Sequence, residues 1–282
     1  MILITGASGK TGQAIIKALN ARQAKVRALV RRAEQQSRLQ ELGAQEIMIG
    51  DLRNSADLQR ACADIETVYH ICPNMQPDEV AIAQNVLEAA QSNNVNRFVY
   101  HSVLHPQTEE MPHHWNKLRV EELLFKAGLD FTILQPAAYM QNVLASWSAI
   151  VEQGVYRVPY AVTTRLGMVD LHDVAEAAAR VLTEKGHSGA IYELAGSEVL
   201  SQEEVAAILS TILGRPVRAD SIPHPVWEQG ARKAGLGDYQ VTTLLKMFEY
   251  YERYGFWGNS YTLRGLLKRA PTTFAEFIKT AS

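Results

Sequence analysis

This 282-residue chain predicts an α/β fold, a doubly wound parallel sheet with a smaller, mainly helical C-terminal substrate lobe. Three observations predict it. The chain opens on a short apolar run, Ile2-Leu3-Ile4, followed by Gly6, Gly9 and Gly12 and then by Ala14, Ile15, Ile16 and Leu19 at helical spacing. Strand-like and helix-like segments then alternate as far as Ser102, without an internal repeat or low-complexity tract. Finally, nine of the 22 aromatic residues crowd between Trp227 and Tyr261, in a stretch that a parallel sheet does not require.

Bulk properties narrow the class. The formal charge is -2, so no basic excess advertises a direct nucleic-acid partner and no acidic tail advertises disorder. Cys62 and Cys72 both fall in apolar contexts and read as reduced core residues. No apolar run approaches the roughly 20 residues of a membrane helix. A strand beginning at Ile2 leaves no room for a signal peptide, so a cytoplasmic protein with no membrane association is expected.

The opening reads as strand, tight turn, helix. One glycine allows the turn, one lets backbone approach a pyrophosphate, and one lets the helix lie close on the strand. Free N–H groups and the positive end of the helix dipole then face the phosphates. Gly6, Ser8, Gly9, Lys10, Thr11 and Gly12 are therefore candidate cofactor-binding residues, in the GxxGxxG spacing of short-chain dehydrogenase-like Rossmann domains. Gly9-Lys10-Thr11 also imitates the end of a P-loop, but that motif needs a glycine where this chain has Ile4.

The next strand, Lys25 to Val30, ends in Arg31-Arg32. An acidic residue there would grip the ribose 2′-hydroxyl of NAD, whereas arginine suits the 2′-phosphate of NADP. NADP(H) is thus expected over NAD(H), Arg31 ahead of Arg32; the alternative is two arginines on a solvated turn. A helix from Ala33 to Leu42 stops at Gly43, and a third strand, Glu46 to Gly50, leads into Asp51-Leu52. Asp51 is a candidate adenine ligand beside Leu52, or a helix cap, a task for which Asn54 or Ser55 is better placed. A helix to Cys62 and a fourth strand, Thr67 to Cys72, precede the loop Pro73-Asn74-Met75. Pro73 and Asn74 join the cofactor candidates because ligands gather at the carboxyl ends of such strands. A helix from Pro77 to Asn93 and a fifth strand from Arg97 to Ser102 follow.

Short-chain dehydrogenases place a serine after the fifth strand and Tyr-x-x-x-Lys on the next helix, the tyrosine as proton donor and the lysine on the nicotinamide ribose. Here Ser102 and Lys117 fill two positions, and His113 stands where the tyrosine would be. With an ordinary pKa near 6.5, His113 is a candidate donor; the competing reading makes His113 and His114 a polar, exposed helix start. Ser102, His113 and Lys117 are the catalytic candidates. No metal site is expected, because His101 and His105 straddle a strand end and no cysteine or carboxylate completes a set.

Asp130 to Gln135 reads as a sixth strand running into Pro136-Ala137-Ala138-Tyr139-Met140-Gln141-Asn142. With the glycine turn, this resembles the NmrA-like family of atypical short-chain dehydrogenases, whose strand ends Leu-Arg-Pro-Gly, two aromatics, then Met-Glu-Asn. Val169-Asp170-Leu171-His172-Asp173-Val174-Ala175, Ala190 to Gly196 and Pro271-Thr272-Thr273-Phe274 extend the likeness over nearly the whole chain. Gln135 and Ala137 depart from the family's arginine and glycine. The resemblance implies either an NADPH-dependent reductase of quinone-like or other aromatic acceptors, or a non-catalytic NADP(H)-sensing regulator. It also implies Pro136 and Tyr139 at the nicotinamide end, and Lys117 as an acid-base candidate.

Ser201 with Glu204 and Thr273 with Glu276 form capping boxes in the lobe. Its rings (Trp227, Tyr239, Phe248, Tyr250, Tyr251, Tyr254, Phe256, Trp257, Tyr261) read equally as a stacking pocket or as packing and subunit interface. The expected domains are a Rossmann domain of 1–136 and about 155–195, and a substrate lobe of about 137–154 and 196–282. The expected substrate is a small aromatic or quinonoid molecule, with a homodimer or a regulatory protein partner left open.

Overall fold

The computed structural model of the chain describes residues 1–281. In chain order its elements begin with β1 (Ile2–Ile4), α1 (Lys10–Ala21), β2 (Val26–Val30), α2 (Gln36–Glu41), β3 (Glu46–Ile49), α3 (Ser55–Cys62) and β4 (Thr67–His70). Next come α4 (Glu79–Ser92), β5 (Arg97–His101), α5 (Pro112–Lys126), β6 (Asp130–Pro136), α6 (Trp147–Gln153), β7 (Val155–Val158) and β8 (Arg165–Leu166). They continue with α7 (Leu171–Thr183), β9 (Ala190–Leu194), β10 (Leu200–Ser201), α8 (Gln202–Leu213) and β11 (Arg218–Ser221). Helices α9 (His224–Lys233), α10 (Asp238–Tyr254), α11 (Tyr261–Leu267) and α12 (Phe274–Ala281) follow.

Seven strands form one sheet in the order β3-β2-β1-β4-β5-β6-β9, and β1 to β6 run parallel. The α/β fold expected from the alternation is therefore present. Sequence order reverses between β1 and β4, the switch point outside which ligands of such sheets bind. Leu3, Ile4, Val68, Tyr69, Phe98, Val99 and Tyr100 are all fully buried. The central strands are apolar on both faces because helices cover both.

The chain divides into two compact units. One comprises Met1–Gln107, His113–Gln135 and Val174–Tyr192; the other comprises Thr108–Pro112, Pro136–Asp173 and the residues from Glu193 on.

Several boundaries move from their expected places. The helix expected from Ala33 opens as a 3-10 turn over Ala33–Gln35, because the Gln35 side chain accepts from the Arg32 N–H at 3.2 Å. The fourth strand ends at His70, not Cys72. Helix α4 starts at Glu79, not Pro77, after Met75 adopts φ +50° and Arg53 holds Gln76 and Asp78 side chains in the loop. Asn54 caps α3, its Oδ1 accepting from the Ala56 and Asp57 N–H groups.

In the second unit β7 pairs with β11 and β8 with β10. Both expected capping boxes form: Ser201 and Glu204 exchange hydrogen bonds of 2.7 and 3.1 Å, Thr273 and Glu276 bonds of 2.8 and 3.3 Å. Asp173, 1% exposed, accepts from Arg269 Nη2 at 2.7 Å, the Thr272 N–H at 2.6 Å and the Thr272 hydroxyl at 3.1 Å.

Candidate active site

The glycine turn joins β1 to α1 at the switch point. Gly6 adopts φ +61°, and a Cβ there would lie 2.7 Å from the Ile71 carbonyl oxygen. A Cβ on Gly12 would lie 2.5 Å from the Gly6 oxygen and 2.7 Å from Ala7 Cα. Backbone thus demands glycine at both positions. Gly9 is different: a Cβ would meet only the Gly6 oxygen, at 3.4 Å, so the fold places no such demand there. Gly9 is the N-cap of α1, with no side chain capping the helix and no acidic residue in its first turn. The loop is held by Gly9 N–H to Gly6 O at 3.1 Å and by Gln13 Nε2 to Ser8 O at 2.8 Å. Lys10 is exposed and Thr11 half-buried. A bare helix terminus fronted by a Cβ-free position fits a diphosphate.

The other cofactor candidates of the first unit lie beyond β2, β3 and β4. Arg31 is exposed and makes no ion pair among the described residues, whereas Arg32 Nε lies 3.3 Å from Glu34 Oε1. Asp51 Oδ1 accepts from the Arg53 N–H at 2.9 Å, and the Asp51 N–H donates to Asp57 Oδ2 at 2.9 Å. Leu52 is buried, Pro73 half-buried and Asn74 exposed.

Lys117 enters a polar centre that motif spacing did not reveal. Its Nζ lies 2.6 Å from Glu79 Oε1, 3.5 Å from the His101 oxygen and 5.5 Å from the Tyr100 ring centroid. The Tyr100 hydroxyl donates to the same Glu79 oxygen at 3.0 Å. The His70 ring stacks on Tyr100 at 5.9 Å, and its Nδ1 meets Thr5 Oγ1 at 2.8 Å. A buried row thus runs from the glycine turn to Lys117. Glu79 is 1% exposed, so removing its cation strands a buried charge. Lys117→Met is expected to cost about 3 kcal/mol, at the low end for a buried pair because Lys117 keeps 15% exposure. Pairing it with Glu79→Leu should restore most of that, which urea denaturation of the single and double variants checks.

Four residues beyond Lys117 on the same helix face is Glu121, 2% exposed. The Ser102 hydroxyl donates to Glu121 Oε1, and Gln135 Nε2 lies 2.9 and 3.1 Å from its two oxygens. Burial pushes this carboxyl up, against the hydrogen bonds of Ser102 and Gln135 and the charge of Lys117.

His113 corrects the expectation on both counts. Neither it nor His114 is exposed; they are 7% and 1% accessible, packed edge to face at 4.4 Å. Burial, then the charges of His114 and Lys117, push His113 down to about 2, so it is a neutral imidazole and not an acid near 6.5. Its Nδ1 is buried without a hydrogen-bond partner among the described residues.

Pro136 and Tyr139 belong to the second unit. Pro136 is buried at the end of β6, and Tyr139 precedes a 3-10 helix (Met140–Ser146) and bridges Val169. Part of the ring concentration is packing: Trp227 meets Phe248 edge-on at 4.8 Å, and Tyr251 stacks on Phe256 at 4.9 Å. Tyr254, Trp257 and Tyr261 are exposed. A shallow, open cleft lined by Met140, Met168, Glu198 and Phe274 encloses no cavity able to hold a small molecule.

Comparison with known proteins agrees with this architecture. The NmrA-like family profile matches residues 1–278. An NAD(P)H azoreductase of Xenophilus azovorans is 30% identical over 284 residues, spanning 99% of this chain and 97% of that protein. The crystal structure of NADPH-dependent quinone oxidoreductase from Escherichia coli, complexed with NADPH, superposes with a TM-score of 0.87 at 28% identity, covering 100% of this chain and 99% of that one. A Citrobacter triphenylmethane reductase complexed with NADP(H) gives 0.88 at 25% identity, covering 100% of both chains. The chain belongs to the NmrA-like family.

Proposed function

We propose that this protein is an NADPH-dependent reductase of small quinone-like or aromatic acceptors. The observation that carries the reading is the glycine turn, whose Gly9 answers to no steric demand of the fold and whose helix is left uncapped. Relatives named as an azoreductase and a quinone oxidoreductase support the reaction class. The residues fit a dinucleotide: Gly6, Ser8, Gly9, Lys10, Thr11 and Gly12 would hold its diphosphate, Asp51 and Leu52, past β3, would take the adenine, and Pro73 and Asn74, past β4, would border the rest of the molecule. When bound, the reduced nicotinamide supplies a hydride. Lys117, steadied by Glu79 and the Tyr100 face, holds the nicotinamide ribose. His113, being neutral, orients an acceptor through a hydrogen bond and does not contribute a cation. Ser102 is the hydroxyl positioned to hold a proton.

Calorimetric titration with NADPH and NADH, then a turnover screen with quinones and azo and triphenylmethane dyes, tests the reading. Heat with NADPH and oxidation by at least one acceptor are expected. Binding without oxidation of any acceptor would mark a sensor instead, and no heat with either coenzyme would sink both readings.

NADP(H) preference rests on Arg31, which is exposed and makes no ion pair among the described residues. Arg31→Ala is expected to weaken NADPH binding roughly 30-fold, about 2 kcal/mol for one charge-assisted contact, and to leave NADH unchanged. Equal losses for the two coenzymes would refute the assignment.

A further inference from the structure

Helix α5 brings two buried carboxyl groups to one ammonium. Lys117 is committed to Glu79 at 2.6 Å, and among the described residues Glu121 has no cation within ion-pairing distance. Its surroundings can be named. Lys117 faces it from its own helix, Tyr100 from β5, Ser102 from just past β5, and Gln135 from β6. Tyr100 adds no positive charge, and Ser102 and Gln135 supply neutral dipoles only. A carboxylate at 2% exposure with no ion pair among the described residues, beside a second carboxylate that already takes the Lys117 ammonium, is costly; a proton on Glu121 removes that cost. Burial acts on this group in the same direction.

Resting on the reductase reading above, we propose that Glu121 is a positioning residue that stores the proton Ser102 delivers to the reduced acceptor. The hydride, with its electron pair, is that of the reduced nicotinamide. As the acceptor oxygen gains negative charge, the Ser102 O–H bond breaks and its proton forms the new O–H of the product. With the Ser102 hydroxyl turned from Glu121 Oε1 to the acceptor, the Glu121 carboxyl O–H donates back across the same contact, breaks in turn and restores the Ser102 hydroxyl. Glu121 is left as a carboxylate, accepting from Gln135 Nε2 and the regenerated Ser102 hydroxyl, until water reprotonates it after product release. The relay works below the Glu121 pKa and fails above it.

One test needs no coenzyme. In the protein labelled with carbon-13 at glutamate side chains, NMR titration should show one carboxyl titrating above all the others, and Glu121→Gln should remove that signal. In turnover, wild-type kcat/KM for a quinone should fall as pH rises through the same value. Glu121→Gln and Ser102→Ala should each lower the low-pH plateau by about 10²-fold and flatten the profile. The double variant should be no slower than either single one, since both break one relay. NADPH affinity should stay unchanged. Glutamates that all titrate in the ordinary range, a Glu121→Gln profile that keeps its slope, or multiplying single effects would overturn the proposal. If Glu121→Gln does not fold, the wild-type titration and Ser102→Ala decide it. Failure of the wild-type protein to bind NADPH or to turn over is a different result, and it sinks the reductase reading.

Discussion

Gly12→Ala is expected to abolish coenzyme binding and to lower the melting temperature by about 6 °C, while Gly9→Ala is expected to leave the melting temperature unchanged and to weaken coenzyme binding alone. The asymmetry follows from what each new methyl meets. At Gly12 it arrives 2.5 Å from the Gly6 oxygen, 2.7 Å from Ala7 Cα and 2.8 Å from the Ala7 oxygen. All three are backbone atoms with no rotamer to change, so α1 must lift off the turn. Overpacking of this kind costs about 3 kcal/mol, from which the temperature shift follows at about 2 °C per kcal/mol for a chain of this size. The lifted helix also carries the anion-binding N–H groups away from the loop. At Gly9 the methyl meets one oxygen at ordinary contact distance, and the N-cap geometry, φ -73° and ψ 163°, suits any residue. What it fills is the space kept for the diphosphate, so affinity falls roughly tenfold, about 1.4 kcal/mol. Calorimetric titration with NADPH and thermal denaturation, run on both variants, separate these effects. Tight binding by Gly9→Ala would show that the phosphates lie elsewhere.

Acid is expected to unfold the protein between pH 6.5 and 5, well above the range where carboxylates are protonated. Burial pushes His70 and His101 to about 3, His113 to about 2 and His114 to about 4. In the unfolded chain all four return to about 6.5. Their folded values lie below their unfolded ones, so the unfolded state binds more protons on acidification. The stability they contribute is complete above pH 6.5 and is lost as pH falls. At pH 5 each group costs about 2 kcal/mol and the four about 8, against the ~5–15 kcal/mol that holds most domains together. Glu121 opposes the trend, since its raised folded pKa gains stability on acidification, but it is one group against four. Urea denaturation at pH 8, 7, 6 and 5 should show a steep decline below 6.5. A flat profile from pH 7 to 5 would mean that the histidines are not confined as neutral rings.

Much of this was legible in the chain, and what was not has a physical reason. The glycine turn, the strand-helix alternation and both capping boxes are local, so spacing alone exposes them: Ser201 needs only Glu204, and Thr273 only Glu276. Lys117 was legible as a position but not as a partner of Glu79, which stands 38 residues away in sequence. Glu121 offered a clue in lying one helical turn past Lys117, yet only folding brings Ser102 and Gln135 to it. His113 and His114 misled because two adjacent histidines at a helix start look polar, whereas the segment runs inward and buries both. The rings of the C-terminal stretch were ambiguous for a related reason. Composition records that Phe248 and Tyr261 are aromatic, and only the fold decides that one is buried and the other 78% exposed.

The hold of Asp173 on Arg269 and Thr272 has a consequence for the life of the molecule. Those two residues stand in the stretch between α11 and α12, so a protease cutting within that stretch would deprive a buried acid of these three donors. A cut there would then be felt nearly a hundred positions upstream, where α7 begins. Nicking there would act as a commitment to disposal, with no cut but serviceable form left behind.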